Sequence, residues 1–388
     1  MGESGEIRVL VLQSAIGDAE RKVQWEKFSA RVLHETGHNL CETDACSDAD
    51  FVFLATGGVE QFYADNYREM PRAVYAPRCT NAYAAMNEIR GFLAARGERV
   101  FCNDDGLSDG DFIRIACARR MVRMSRIAMF GAPAPWLIAS FPTKRQLHDR
   151  FGTALLYEPW ETLDWPNRRV SESLEKTWHS YAADGVDGGD LDRACRLSQA
   201  MIDWAGENRV DGITVGCFPL LAHHVSACVA VSDLLDAGYC AACENDICSV
   251  MGMLVARKLG LCAIPPWMAN LVDICGDRIT LQHCTIAKTG LASCRLMTHF
   301  ESDANVGVAG SLFVGSAVTV FRFDESFSQA TIVEGEVVES GPNPLGCRTS
   351  ATIQLKTAFP EPLGNHHIVV MGHVADVLRG FCRMMGIE

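Results

Sequence analysis

The sequence has little positive charge: 35 Lys and Arg stand against 48 Asp and Glu, a net charge of −13. Proteins that bind a phosphate backbone carry a basic footprint, and no Lys/Arg cluster occurs, so a nucleic-acid partner is excluded. The acidity has its plain explanation in solubility. Also missing is any charge-free apolar run of about 18 residues, so no membrane span and no membrane partner are expected. The opening MGESGEIRVLVLQSA has no basic segment ahead of an apolar one, and a cytoplasmic protein without a secretory signal is expected. Low-complexity tracts are lacking too, and with 48% hydrophobic residues the chain has enough apolar surface to fold. Familiar nucleotide and hydrolase motifs are absent: no G-x-G-x-x-G after a strand, no Walker A, no G-x-S-x-G and no H-E-x-x-H.

Cysteine, by contrast, is plentiful, with 17 residues. In a chain of this length the odd count suits a reducing compartment, where Cys serves as a small buried hydrophobe. Cys240 and Cys243 form one C-x-x-C, which is either a redox pair, half of a zinc site or two packed thiols.

At roughly 100–200 residues per domain, 388 residues suggest two or three domains. Ile7 to Gln13, Ala49 to Ala55, Arg72 to Ala76 and Arg99 to Cys102 are short apolar runs suited to buried parallel strands. A helical stretch from Asn81 to Arg96 separates the last two. A second unit of the same type starts near Ser125: strands at Arg126–Gly131, Thr153–Tyr157, Asp211–Gly216 and Tyr239–Glu244, helices at Thr143–Phe151 and Ile247–Leu259, and a polar helical stretch broken at Gly185. After Leu261 the pattern changes to five β-branched runs without helices between them, followed by a terminal helix from Val374 to Gly386. The expected class is therefore α/β. Two Rossmann-like parallel-sheet domains (1–124 and 125–262) precede a β-rich C-terminal domain with a terminal helix (263–388).

The chemistry-bearing residues gather in the second and third segments. Glu244-Asn245-Asp246 stands where a strand ends and a helix begins, the ligand-facing edge of a parallel sheet. Asp273 ends the strand-like PPWMANLVD, and Asn365-His366-His367 lies at a turn before an apolar run. Two carboxylates and an imidazole suit a divalent cation such as Mn²⁺ with positions left open for substrate oxygens. Taken singly, each also fits an ordinary role: helix N-terminal acid, turn residue, loop histidine.

Together they resemble the L-fucose isomerase family, with its arabinose isomerase relatives, through ENDI before an apolar helix, a strand carrying Val272-Asp273, and NHHIVVMGHVAD near the C-terminus. The resemblance implies two Rossmann-like domains and a β-rich domain with Mn²⁺ at their junction, Glu244, Asp273 and His366 as ligands, and proton handling by both carboxylates. It also implies a substrate hydroxyl held by Asn365, and a hexameric homo-oligomer. The chain is shorter than the long fucose isomerases, and His367 follows the liganding position, a His-His pair that arabinose isomerases share. His367 and Cys217 are expected to face the substrate, His283 to be a further ligand or neighbour, and His373 to support the site from outside. His223-His224 are ordinary helix-start residues, and Trp136 with Lys144-Arg145 would reach a substrate bound to a neighbouring subunit.

The expected reaction is aldose–ketose isomerisation of a free or modified monosaccharide. A proton moves between C1 and C2 through an enediol; a Lewis acid lowers the barrier and a positioned carboxylate carries the proton. The alternatives are an isomerase or epimerase relative acting on a sulfonated or deoxy sugar, and a non-catalytic sugar-binding protein.

Overall fold

A computed structural model describes residues 6–16, 18–103, 106–181 and 183–388. The chain divides into two compact units: one runs to Met121 and takes in Asp376–Glu388, the other is Val122–Ala375. The architecture is mixed α/β, with two parallel sheets and a closed β-barrel. Among the described residues, no helix is long and apolar enough to cross a membrane.

The first unit is built on β1 (Ile7–Leu12), β2 (Leu40–Glu42), β3 (Phe51–Leu54), β4 (Ala73–Tyr75) and β5 (Phe101–Cys102). They pair in parallel in the order β2-β1-β3-β4-β5. Every residue of β3 is buried, which is why it reads as a continuous apolar run. On one face Phe28, from the helix Asp18–Thr36, lies 4.8 Å from Phe53 and 4.2 Å from Tyr75 between ring centroids. On the other, Val52, Leu54 and Val74 pack with Ala82, Ala85, Met86 and Ile89, the inward stripe of the helix Asn81–Ala94. Asp50 is held at the foot of β3 by the Arg8 N–H (2.9 Å) and the Arg120 guanidinium (2.6 Å).

The second unit continues with β6 (Arg126–Phe130), β7 (Ala154–Glu158), β8 (Ala183–Asp184), β9 (Gly212–Val215) and β10 (Cys240–Cys243). The parallel sheet is β10-β9-β6-β7. Then follow β11 (Trp267–Cys275), β12 (Arg278–His283), β13 (Ser293–His299), β14 (Ala304–Ser311), β15 (Ala317–Phe323), β16 (Ala330–Pro342), β17 (Thr349–Leu355) and β18 (His366–Met371). The closed barrel runs β11-β12-β17-β16-β15-β18, its ladders antiparallel, while β13 and β14 join β8 in a small sheet. Five β runs and the strand-like segment ending at Asp273 were legible here; β14 and β18 add two more.

The helix Ile247–Lys258 ties sheet to barrel. Ile247 through Ala256 are all buried, because the helix is covered on one side by β9 and β10 and on the other by β15 and β18. Gly252 permits that approach: a Cβ there would meet Ile368 Cγ1 at 3.0 Å and Phe321 Cε2 at 3.2 Å. A larger residue would wedge the helix off the barrel, with the cost typical of an overpacked core, about 1–3 kcal/mol.

Candidate metal centre

The C-terminal edge of the parallel sheet, the start of the helix Ile247–Lys258 and the ends of β12 and β18 converge on one group of side chains, all within the second unit. After β10 the chain passes through two consecutive left-handed residues, Glu244 (φ +60°) and Asn245 (φ +56°). Such a conformation costs a non-glycine residue on the order of 1–3 kcal/mol and persists because its surroundings enforce it. The Asn245 N–H donates to Val215 O (3.1 Å), its side-chain amide donates to Phe130 O and Gly131 O, and the Ala134 N–H donates to Glu244 O (3.1 Å). Gly216 lets the loop after β6 lie this close, since a Cβ would stand 2.1 Å from Ala132 O. The sharp turn sends the Glu244 side chain toward the barrel.

There, Glu244 Oε1 lies 3.7 Å from His366 Nε2 and 3.8 Å from His283 Nε2. The three ligand atoms lie within 4.8 Å of one another. Both Nε2 atoms are buried without a hydrogen-bond partner, a situation that costs about 1–3 kcal/mol for each group and is relieved by a ligand. His366 is oriented for such a role. Its Nδ1–H donates to Asp246 Oδ2 (2.9 Å), which leaves the lone pair on Nε2, the carboxylate–histidine arrangement that steers metal-bound imidazoles. Asp246 also caps the helix by accepting from the Ser249 N–H (2.7 Å), and Arg322 Nη1 stands 3.8 Å away. Burial works to raise the Asp246 pKa, but the hydrogen bond and charge of His366, with Arg322, bring it below the ordinary carboxylate value. Arg322 itself is spent on His366 O (2.6 Å), Ala139 O and Ser140 Oγ.

His283 is held differently. The N–H groups of Cys284 (3.0 Å) and Thr285 (3.3 Å) point at Nδ1, and the Thr285 hydroxyl lies 2.7 Å from it. With two N–H donors aimed at it, Nδ1 is an acceptor here and the ring proton sits on Nε2; ligation through Nε2 requires that proton to pass to Nδ1, with the Thr285 hydroxyl as its acceptor. Burial, followed by the neighbouring His366, pushes the His283 pKa well below the ordinary histidine value, so the ring is neutral at neutral pH. Two carboxylates against one guanidinium leave the centre short of positive charge, and two imidazoles with a carboxylate match Mn²⁺, Fe²⁺ or Zn²⁺ chemistry.

The structure does not bring Asp273 to this group. It is exposed on β11, beyond the irregularity between Leu271 and Asp273 and past Asn270, which sits directly across from His366. At about 3.3 Å per residue that is roughly 10 Å further along the strand. His283 fills the third place. Asn365 is exposed, and its amide donates to Asn270 Oδ1. His367 points to the opposite face from His366: its Nδ1–H donates to Asn365 O (2.9 Å) beside the Phe359 ring, and burial lowers its pKa to about 4. Cys217 is buried with its Sγ 3.2 Å from Cys243 Sγ, while Cys240 is buried and its thiol pKa is raised to about 12 by that burial. His373 is exposed near Glu334, His223 and His224 are exposed, and so are Lys144 and Arg145. Trp136 comes to Glu244 from the same chain: its indole N–H donates to Glu244 Oε2 (2.6 Å). Neither that contact nor the roles of Asp246 and Thr285 carry a sequence signal beyond proximity to their neighbours. A second group, Glu175, His179 and Asp192, lies on the surface, where His179 already pairs with Asp192 at 3.0 Å.

No family model matches the chain. A sulfoquinovose isomerase from Alkalicoccus urumqiensis is 22% identical over 192 residues, covering 47% of this chain and 43% of that protein. The match thus spans less than half the length of that relative. Among solved structures, a macrolide-efflux protein from Streptococcus pneumoniae is 13% identical over 66% of this chain and 75% of its own, with a TM-score of 0.19, too low to bear on the fold.

Proposed function

We propose that this chain is a metal-dependent aldose–ketose isomerase of monosaccharides, with a divalent cation, Mn²⁺ in the first instance, held by Glu244, His283 and His366. The observation that carries it is the pair of buried, unpartnered Nε2 atoms facing one carboxylate oxygen. The distant similarity to a sulfoquinovose isomerase supports a sugar as substrate, and makes sulfonated hexoses the first class to test beside neutral ones.

When bound, the cation polarises the substrate's O1 and O2 and so acidifies the C–H to be broken. The chain's own residues do the rest. Glu244 Oε1 takes the proton from one carbon and returns it to the next, as a carboxylate within hydrogen-bond reach can do. Asp246 holds the His366 ring in the tautomer whose Nε2 lone pair faces inward, and the Thr285 hydroxyl would accept the His283 Nδ1 proton once Nε2 serves as a ligand. Asn365, just before β18, and Asn270, across from His366 on β11, are hydrogen-bonded to each other and offer amide groups to sugar hydroxyls. We place the reaction in the cytoplasm, which suits 17 free cysteines, and in a homo-oligomer, as the fucose isomerase resemblance implies.

The test is a screen of aldoses and ketoses, sulfoquinovose included, in deuterated water with and without Mn²⁺. Metal-dependent deuterium at C2 is the expected result. Deuterium uptake that survives a chelator, or no uptake with any sugar by a metal-loaded protein, refutes the assignment.

A further inference from the structure

Glu244 has two carboxylate oxygens, and the structure gives them different partners. Oε1 faces the imidazole nitrogens of His283 and His366, whereas Oε2 accepts the Trp136 indole N–H at 2.6 Å. The terminal torsion of a glutamate is broad and roughly two-fold, so nothing in the side chain itself keeps the oxygens apart. The loop that carries Trp136 grips the same residue a second time, through the Ala134 N–H on Glu244 O (3.1 Å). Pro133 and Pro135 restrict that loop, and the Trp136 ring meets Phe218 edge-on at 4.6 Å. Yet Trp136 remains 51% exposed, so burial alone does not account for a tryptophan here. Its polar edge is spent on a buried carboxylate, and an N–H donated to an ionised oxygen is among the stronger hydrogen bonds.

We propose that Trp136 is a positioning residue for Glu244: its indole N–H ties up Oε2 so that Oε1 alone is presented to the cation site and to the substrate proton. The assignment rests on the reading of Glu244, His283 and His366 as that site. It adds a residue that contacts no metal and lies in sequence far from all three.

The experiment titrates Mn²⁺ into the full chain as wild type, Trp136→Phe, Trp136→His and Glu244→Gln, and records the melting temperature of each in chelator. Trp136→Phe keeps a ring but loses the N–H, and its metal dissociation constant should rise about 10–100-fold, the range for residues that orient a ligand. Its kcat should fall with little change in KM. Trp136→His keeps an N–H and should recover part of the affinity. Trp136→Phe binding Mn²⁺ like wild type overturns the proposal, and so does equal weakening in the Phe and His variants, which would mean that only the bulk of the indole matters. Should Trp136→Phe fail to fold, the His variant decides: metal affinity indistinguishable from a correctly folded Trp136→Leu overturns the proposal. Glu244→Gln separates the two levels. If it binds Mn²⁺ like wild type, the site assignment itself fails; if it loses the metal while Trp136→Phe does not, only the role of Trp136 fails.

Discussion

Asp246→Asn isolates the orienting carboxylate from everything else that Asp246 does. Asparagine is as good a helix cap as aspartate, so the Ser249 N–H at 2.7 Å keeps its acceptor and the helix Ile247–Lys258 loses at most a few tenths of a kcal/mol. Arg322 loses an ionic neighbour at 3.8 Å but retains its hydrogen bonds to His366 O, Ala139 O and Ser140 Oγ. What changes is the partner of His366 Nδ1. With its one oxygen kept by the Ser249 N–H, the amide of Asp246→Asn turns its NH2 toward His366 Nδ1. A donor then faces a donor, which favours the tautomer with the proton on Nε2, so metal affinity should fall by at least about 10–100-fold, or about 1.4–2.8 kcal/mol. Thermal melts with and without Mn²⁺ read this out. At a metal concentration 100 times the wild-type dissociation constant, binding adds about 2.7 kcal/mol of stability. With tenfold weaker binding the same concentration adds only about 1.4 kcal/mol, while the melts in chelator nearly coincide. An Asp246→Asn protein that gains the full wild-type increment from Mn²⁺ would refute the role given to Asp246, and with it the orientation of His366.

Other expected outcomes follow from the same geometry. His366→Ala should abolish Mn²⁺ binding in a calorimetric titration, whereas His367→Ala, on the opposite face of β18, should leave the metal in place with affinity reduced by less. Thr285→Val removes the only hydroxyl beside His283 Nδ1 among the contacts described, and should weaken Mn²⁺ about tenfold; an unchanged dissociation constant would show that His283 reaches its ligating tautomer without that hydroxyl. The metal-free protein should lose stability on acidification. His367 protonates near pH 4 when folded and near pH 6.5 when unfolded, so the unfolded state binds more protons between those values. Its contribution is complete above about pH 6.5, declines as pH falls toward 4, and amounts to about 3 kcal/mol. Urea titrations of wild type and His367→Gln at pH 7.5, 5.5 and 4.5 check this, the variant showing the shallower decline.

The layer structure was legible because burial on both faces writes itself into sequence. IRVLVL, FVFL and the first turns after them read as parallel strands, since a strand covered by helices on each side needs no polar alternation. The barrel was legible wherever β-branched residues dominate, as in β15 to β17. β14 was not: ANVGVAGS is rich in glycine and alanine, residues with no strand preference, and it is held by pairing with β13 rather than by propensity. The terminal helix shows a different limit. Its amphipathic pattern is plain, but from Asp376 on it belongs to the first unit, and periodicity along a helix does not say which core the apolar stripe will join.

At the site, sequence and structure part over one strand. Asp273 is the acidic residue at the end of an apolar run, and chemistry alone favours it over a neutral neighbour. Position is decided instead by where pairing stops. β11 pairs with β18 only from Trp267↔Val369 to Asn270↔His366; beyond that point it continues with β12 alone, and its side chains, Val272 (49% exposed) and Ile274 (43%) among them, turn to solvent. A strand written in sequence carries no mark of where its second partner ends, so a displacement of three residues goes unnoticed. His283 was ambiguous for the complementary reason. A histidine within a β run is usually packed, and only the geometry shows that it is the last residue of β12, with its Nε2 unpartnered and 3.8 Å from Glu244 Oε1. Residue type proposes ligands, but strand register and strand ends select among them.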